Sequence, residues 1–288
     1  MTTISTSATT VGELVGCITS VLAAAGIAEC RTEARDLVAA IAGEGRFWPR
    51  ANAGCAVSRD LAVMVDAAAA RRASGMPFAY AVGRAAFRHL TLTVDERVLI
   101  PRQETERLVD LVLERAARGV AADVGTGSGA VALALASEGR FERVIATDIA
   151  SGSLSVAREN LKAIPQGSSA IEFRTGDLLS PLHGERLDVL VSNPPYIAYD
   201  EAVELPASVR DWEPPQALFS GGQGLAATRR IIEGAPALLC KGGLLALEAD
   251  SRRALQVTEL VASSGAFRAI ELHHDLMGRE RFVFATRA

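Results

Sequence analysis

The chain has 288 residues, 49% of them hydrophobic and 22% charged, with a mean hydropathy of +0.20, the composition of a folded globular protein rather than a disordered one. A net charge of −4 and a pI near 5.7 argue against a broad grip on nucleic acid phosphates, so no stable nucleic acid complex is expected. Every apolar run is broken by Arg, Asp, Glu or Gly before the roughly 18 residues of a membrane span, and no membrane association is expected.

The first ten residues, Met1 to Thr10, are rich in Ser and Thr without a basic start, and Glu13 interrupts the apolar stretch that follows. A frayed N-terminus and no secretory signal are expected. Apolar residues at three-to-four spacing then predict helices over Val11–Ala25, Arg31–Ile41 and Arg59–Arg72, together a small helical domain. Gly43, Gly45, Pro49 and Gly54 break the pattern between them, and Gly75 with Pro77 closes the segment.

Phe87, Leu90, Leu92 and Val94 alternate with polar residues over Ala86–Asp95, the pattern of a hairpin linking two domains. Leu99–Thr105 leads into a helix expected over Glu106–Arg118, with Leu108, Val109, Val112 and Leu113 as its apolar stripe. From Val120 onward, strands are expected near Ala121–Val124, Val144–Asp148, Ile171–Arg174, Leu187–Ser192, Leu244–Glu248, Ala269–His273 and Phe282–Thr286. Helical patterns over Ala130–Glu138, Gly152–Ala163, Leu225–Leu239 and Arg252–Ser263 lie between most of them. Such alternation implies an α/β domain with a doubly wound, mostly parallel sheet and a ligand at the carboxyl ends of its strands.

Cys17, Cys30, Cys55 and Cys240 show no Cys-x-x-Cys spacing, and only His273 and His274 are adjacent, so neither a metal site nor a disulfide framework is expected. The cytoplasm is the expected compartment.

Asp123, Val124, Gly125, Thr126, Gly127, Ser128 and Gly129 follow a strand and open a helix, where glycines let the backbone pass close to a ligand. Gly125, Gly127 and Ala130 also satisfy the dinucleotide fingerprint, which keeps a nicotinamide enzyme in play. Asp148, roughly 20 residues on at the end of the next strand, can accept hydrogen bonds from both ribose hydroxyls of an adenosine ligand. After the third strand, Asp177 is a candidate acceptor for an adenine amine and Leu178 a packing surface for its ring.

The fourth strand runs into Asn193, Pro194, Pro195 and Tyr196. Consecutive prolines fix φ and remove backbone donors, leaving a stiff loop with outward carbonyls. The Asn193 side-chain oxygen and the Pro194 carbonyl can accept the two hydrogens of a planar NH2 group, with Tyr196 offering a ring face. An amide nitrogen is a poor nucleophile, so such a loop would work by orientation and by polarising the group.

With these motifs in hand, the chain resembles the protein-(glutamine N5) methyltransferase family that modifies peptide-chain release factors. The resemblance runs through Pro77–Tyr80, Gly83, Phe87, Leu99–Glu106, the Gly125–Gly129 loop, Asp148, Asn193–Tyr196, the Glu213–Leu218 region and Asp275–Arg281. It implies a Rossmann-like class I methyltransferase domain over 99–288 with a seven-stranded sheet, an N-terminal helical substrate-recognition domain over 1–84, and a linking hairpin over 85–98. It implies S-adenosyl-L-methionine as cofactor, held by Gly125, Thr126, Gly127, Ser128, Gly129, Asp148, Ile149, Asp177, Leu178 and Asn193. The glutamine of a release factor would lie on Asn193, Pro194, Pro195 and Tyr196, with Arg102, Thr105 and Glu106 lining the site.

Leu247, Glu248, Ala249 and Asp250 stand where the family usually has Glu-Ile-Gly followed by Gln, and the Ser220–Gly224 turn is one residue short and lacks its Asp. Gly221, Gly222 and Gln223 spell the tripeptide that release factors present for methylation, yet a chain-reversing turn is the simpler reading. A nucleic acid adenine methyltransferase, a small-molecule N- or O-methyltransferase of specialised metabolism, and a non-catalytic binding module are the rival expectations.

Overall fold

The computed structural model describes residues 9–288. The expected fraying of the N-terminus therefore falls, for residues 1–8, outside the described residues. Thr10 itself is ordered as a helix cap: its hydroxyl accepts from Glu13 N at 3.3 Å, and its own N–H donates to Glu13 Oε2 at 3.1 Å. The described residues form two compact units, one of residues up to Arg84 with Pro206–Trp212, the other of Ala85–Leu205 with Glu213–Ala288. No sequence signal marked Pro206–Trp212 as part of the helical unit. Among the described residues no helix is long and apolar enough to cross a membrane.

In the first unit the expected helices are α1 (Val11–Ala24), α2 (Cys30–Ala42) and α4 (Arg59–Ala73), with two short additions, α3 (Trp48–Ala51) and α5 (Phe78–Val82). Leu14, Ile18 and Leu22 of α1 meet Leu37 and Val38 of α2 and Val65 of α4 in one fully buried cluster. Burial of each such side chain stabilises by about 1.5–3 kcal/mol.

The expected hairpin is β1 (Arg84–Phe87) and β2 (Leu90–Thr93), and α6 (Gln103–Arg115) follows it. The helix starts and ends three residues earlier than its stripe suggested. Pro101 and the extended Arg102 precede it, Glu104 and Glu106 sit in its first turn where the helix dipole favours anions, and Arg118 already opens the next strand.

Strands β3 (Arg118–Val124), β4 (Arg140–Asp148), β5 (Ala170–Thr175), β6 (Leu187–Ser192), β7 (Leu239–Glu248), β8 (Phe267–His274) and β9 (Glu280–Arg287) make one seven-stranded sheet in the order β5-β4-β3-β6-β7-β9-β8. Neighbours from β5 to β7 pair in parallel, and β9 runs antiparallel between β7 and β8. The Gly242–Gly243 pair lies inside β7 as an irregularity against β6.

Successive residues alternate between two cores. Ala121, Val144, Val189, Leu244 and Phe282 face α6 and α7 (Ala130–Glu138), whereas Ala122, Ile145, Leu190, Leu245 and Val283 face the helices Ala226–Leu238 and Ala254–Ser263. With both faces covered, ligand space remains only at the strand ends, and the order reverses between β3 and β6, the point at which such sheets open a crevice.

Candidate functional site

Two cavities meet at that reversal. The larger, about 440 Å³, is bordered by Gly125 and Gly127 after β3, Asp148 and Ile149 after β4, Gly176–Leu178 after β5, and Asn193 and Pro195 after β6. The smaller, about 50 Å³, is bordered by Arg102, Thr105, the 123–128 loop and Asn193. Gly125, Gly127, Leu99 and Asn193 border both.

Local bonds explain why the glycine loop holds its shape. Gly125, Gly127 and Gly129 all have positive φ, the region that glycine alone enters without strain. Gly125 N and Thr126 N both donate to the Thr147 carbonyl, at 2.9 and 2.8 Å. Asp123 is buried beneath the loop, where its Oδ2 accepts from Thr126 Oγ1 at 2.6 Å and from Ala132 N at 3.1 Å. Burial pushes the Asp123 carboxyl up to about 7 even against those two bonds. The side chain of buried Asn160 joins the Ser128 carbonyl to both backbone groups of Thr93, at 2.7–3.0 Å, and so ties the loop to the hairpin.

Asp148 stands across from the loop with both oxygens engaged, Oδ2 by Gly127 N and Oδ1 by Ala150 N, each at 2.9 Å. Burial raises its carboxyl above the ordinary range while these backbone bonds pull it down. Each oxygen keeps a lone pair for a ligand hydroxyl. Among the described residues nothing stands within 4 Å of the place a Cβ would take at Gly125 or Gly127, so the cradle is left open by the absence of side chains. Asp177 is paired with Arg230 at 2.6 Å, Leu178 has a φ of 48°, and Ile149 is largely exposed at the rim.

The end of β6 is pinned by Ser192, whose hydroxyl donates to the Val124 carbonyl at 2.7 Å. Asn193 follows, and its Nδ2 donates to Thr105 Oγ1 at 3.2 Å. Thr105 in turn donates to Glu248 Oε2 at 2.7 Å. Pro194 is buried, and no hydrogen bond among the described residues ends on its carbonyl. Desolvation pushes the phenol of Tyr196 upward, so it stays neutral. Asn193 borders both cavities, whereas Pro194, Tyr196 and Gly129 border neither.

A family model described as "PrmC N-terminal domain" matches residues 13–83, and one described as "Methyltransferase small domain" matches 103–208. The chain is 39% identical to the release factor glutamine methyltransferase of Cereibacter sphaeroides over 92% of its own length and 94% of that protein's. Against the enzyme of the same name from Mycolicibacterium smegmatis the values are 39%, 93% and 95%.

The chain belongs to the release factor glutamine methyltransferase family.

The Moorella thermoacetica enzyme of that name is 44% identical over 75% of this chain and 77% of its own. Among solved structures, a methyltransferase from Pyrococcus furiosus aligns with a TM-score of 0.52 at 20% identity, over 70% of this chain and 90% of that one. The Thermus thermophilus 16S rRNA N2 G1207 methyltransferase, solved with AdoMet and guanosine, aligns at 0.50 and 19% identity over 71% and 50%. At these identities the two structures speak to the fold alone.

Within this methyltransferase the residues anticipated from the sequence are distributed unevenly. Gly125, Gly127, Asp148, Ile149, Asp177, Leu178, Asn193 and Pro195 border the larger cavity; Thr126, Ser128, Arg102 and Thr105 border the smaller. Thr126 and Ser128 are themselves buried, engaged under the loop. Arg102, only half-buried, pairs with the buried Glu213, its Nη2 lying 2.7 and 2.9 Å from the two carboxylate oxygens. Glu106 borders neither cavity, because its Oε1 accepts from the Arg88 backbone N–H at 2.9 Å in the hairpin turn, where Arg88 has positive φ.

Several contributors escaped the sequence reading. Phe219, stacked on Tyr199 with ring centres 5.6 Å apart, forms part of the cavity wall. Asn160, Ser192 and Glu248 carry no local pattern that marks them out; only their partners do. Among the described residues no group of His, Cys, Asp and Glu is arranged to hold a metal ion.

Proposed function

We propose that this enzyme uses S-adenosyl-L-methionine to methylate the side-chain amide nitrogen of a glutamine in a peptide-chain release factor. The observation that carries the proposal is the position of Asn193, on the border shared by both cavities with its Nδ2 committed to Thr105. Its Oδ1 is thereby left to accept from a substrate N–H.

The cofactor fits the residues present. The open places above Gly125 and Gly127 leave room for a close-packed ligand, Asp148 offers acceptors for ribose hydroxyls, Leu178 and Ile149 offer apolar surface, and Asp177 offers an acceptor beside Arg230. When bound, S-adenosylmethionine supplies an electrophilic methyl group.

The chain's own residues do the rest by orientation. Asn193 Oδ1 and the Pro194 carbonyl accept the two amide hydrogens, fixing the plane of the glutamine NH2 and drawing positive charge toward the acceptors as it develops on nitrogen, and one of those hydrogens then leaves as a proton to solvent. Pro194 and Pro195 hold these oxygens still because neither has a free φ. Tyr196, kept neutral, supplies a ring face beside the flat group. The family's name supports a release factor as the protein that brings the glutamine, and the cytoplasm is then the place of action.

The test is transfer of labelled methyl from S-adenosylmethionine to a purified release factor, with the modified residue located by mass spectrometry. Label on the glutamine of its Gly-Gly-Gln tripeptide, reduced about 100- to 1,000-fold by Asn193→Ala, is the expected result. Label confined to nucleic acid or to small amides overturns the proposal.

A further inference from the structure

Glu248 is a buried carboxylate next to the proposed acceptor loop, and the proposed function gives it no task. It ends β7, is 1% exposed, and engages only one of its oxygens. The other, Oε1, has no hydrogen-bond partner among the described residues; Arg281 Nη1 on β9 stands 3.9 Å away, beyond bonding reach. Between Glu248 and Asn193 lies the Thr105 hydroxyl, which has one proton to give.

We infer that Glu248 is a positioning residue that acts through Thr105 to decide which end of the Asn193 carboxamide faces the substrate, and that a proton on Glu248 reverses the choice. The inference rests on the glutamine-methylating function proposed above.

An ionised Glu248 can only accept, so the Thr105 proton goes to its Oε2 and a lone pair of the hydroxyl oxygen is left for Asn193. That lone pair can be met only by Nδ2, and Oδ1 is turned to the substrate. A protonated Glu248 can donate to Thr105, which then sends its own proton toward Asn193. The carboxamide gains by flipping, Oδ1 turns to Thr105, and Nδ2 confronts the hydrogens of the substrate NH2. Donor then faces donor, and the amide is neither oriented nor polarised.

The surroundings leave that proton free to come and go. Arg281 on β9 and Arg102 before α6 favour the charged form, while Glu104 in the first turn of α6 opposes it. Tyr196 after β6 is neutral, and Asp275, at the turn between β8 and β9, draws Arg281 toward itself with an Nε to Oδ2 distance of 3.3 Å. Burial outweighs these influences and pushes Glu248 up to about 7. A buried carboxylate with one idle oxygen is the expected geometry for a group poised between two states.

The test is the pH dependence of kcat for methylation of a release factor glutamine, with melting temperatures taken alongside. The wild type is expected to lose activity about tenfold per pH unit on the acid side of a single-proton limb near neutrality. Glu248→Gln, which cannot ionise, should remove the limb and lower the plateau kcat about three- to tenfold. Thr105→Val should remove it too, with kcat reduced about 10- to 100-fold and KM for the release factor changed less than threefold. Thr105→Ser, which restores the hydroxyl, should recover most of that loss together with the limb.

A limb that survives unchanged in Thr105→Val, or a Thr105→Val enzyme with wild-type kcat, overturns the inference. A wild-type profile flat from pH 5 to 8 does the same. Should Glu248→Gln fail to fold, the Val and Ser variants at 105 decide alone. A wild type that never labels the glutamine is a failure of the proposed function and is distinguished from all of these.

Discussion

Gly224 packs directly on the Tyr196 carbonyl, so closely that a Cβ added to it would overlap that oxygen and stand 2.9 Å from Arg253 Nε. Its φ of 85° belongs to the left-handed region. The glycine-rich turn is therefore the backing of the Asn193–Tyr196 loop, and Gln223, which completes the Gly-Gly-Gln spelling, has its carbonyl tied to Arg253 Nε at 2.6 Å. Gly224→Ala should lower kcat at least tenfold and cost about 1–3 kcal/mol of stability. Gly221→Ala, where a Cβ meets only Ala226 at 3.8 Å, should leave melting within about 0.5 kcal/mol of wild type. Equal melting temperatures for the two variants would refute the packing role.

Asp148 should matter for cofactor affinity and for the loop together, because Gly127 N and Ala150 N bond to different oxygens of its carboxylate. Asp148→Ala removes both acceptors and should weaken S-adenosylmethionine binding about 10- to 100-fold, with a stability loss of about 1–2 kcal/mol. Asp148→Asn keeps one acceptor and should fall between the two. Calorimetric titration with the cofactor measures the order.

Glu213 is 3% exposed, and Arg102 is its charged partner. Arg102→Ala leaves a buried carboxylate uncompensated and should destabilise by about 3 kcal/mol. Arg102→Ala combined with Glu213→Leu should recover most of that loss, since removing both charges is far less costly than removing one. Urea unfolding of the three proteins checks the coupling. An additive double variant would show the pair to be independent.

Asp123 predicts a pH dependence of stability with a definite sign. Its folded value of about 7 lies above the roughly 3.9 of an unfolded Asp, so between those limits the folded state holds the extra proton. That contribution is fully present below about pH 4 and is lost as pH rises toward 7. Asp123→Asn can still accept from Thr126 and Ala132 with a single oxygen, as Asp123 Oδ2 does now, and it has nothing to ionise. The variant should gain on the wild type by on the order of 2 kcal/mol between pH 4 and pH 7.5, measured by urea unfolding of the ligand-free protein. A constant difference across that range contradicts the assignment.

The sequence by itself determined the seven strands and most of the helices, because the apolar period of each element is written in neighbouring residues. It also determined that Gly125, Gly127, Asp148 and Asn193 sit at strand ends, since each follows an apolar run where the pattern breaks. These four lie next to the β3–β6 reversal because the parallel order brings the ends of β4, β3 and β6 to one edge. Only the tertiary structure decided what the side chains do once there. Thr105 meets Glu248 across 143 residues of chain and Asn193 across 88. Arg102 turned to Glu213, and Glu106 to the hairpin. A hydrogen bond between distant residues leaves no periodic trace in the chain, and its direction depends on where folding has removed water and which partner is then within reach.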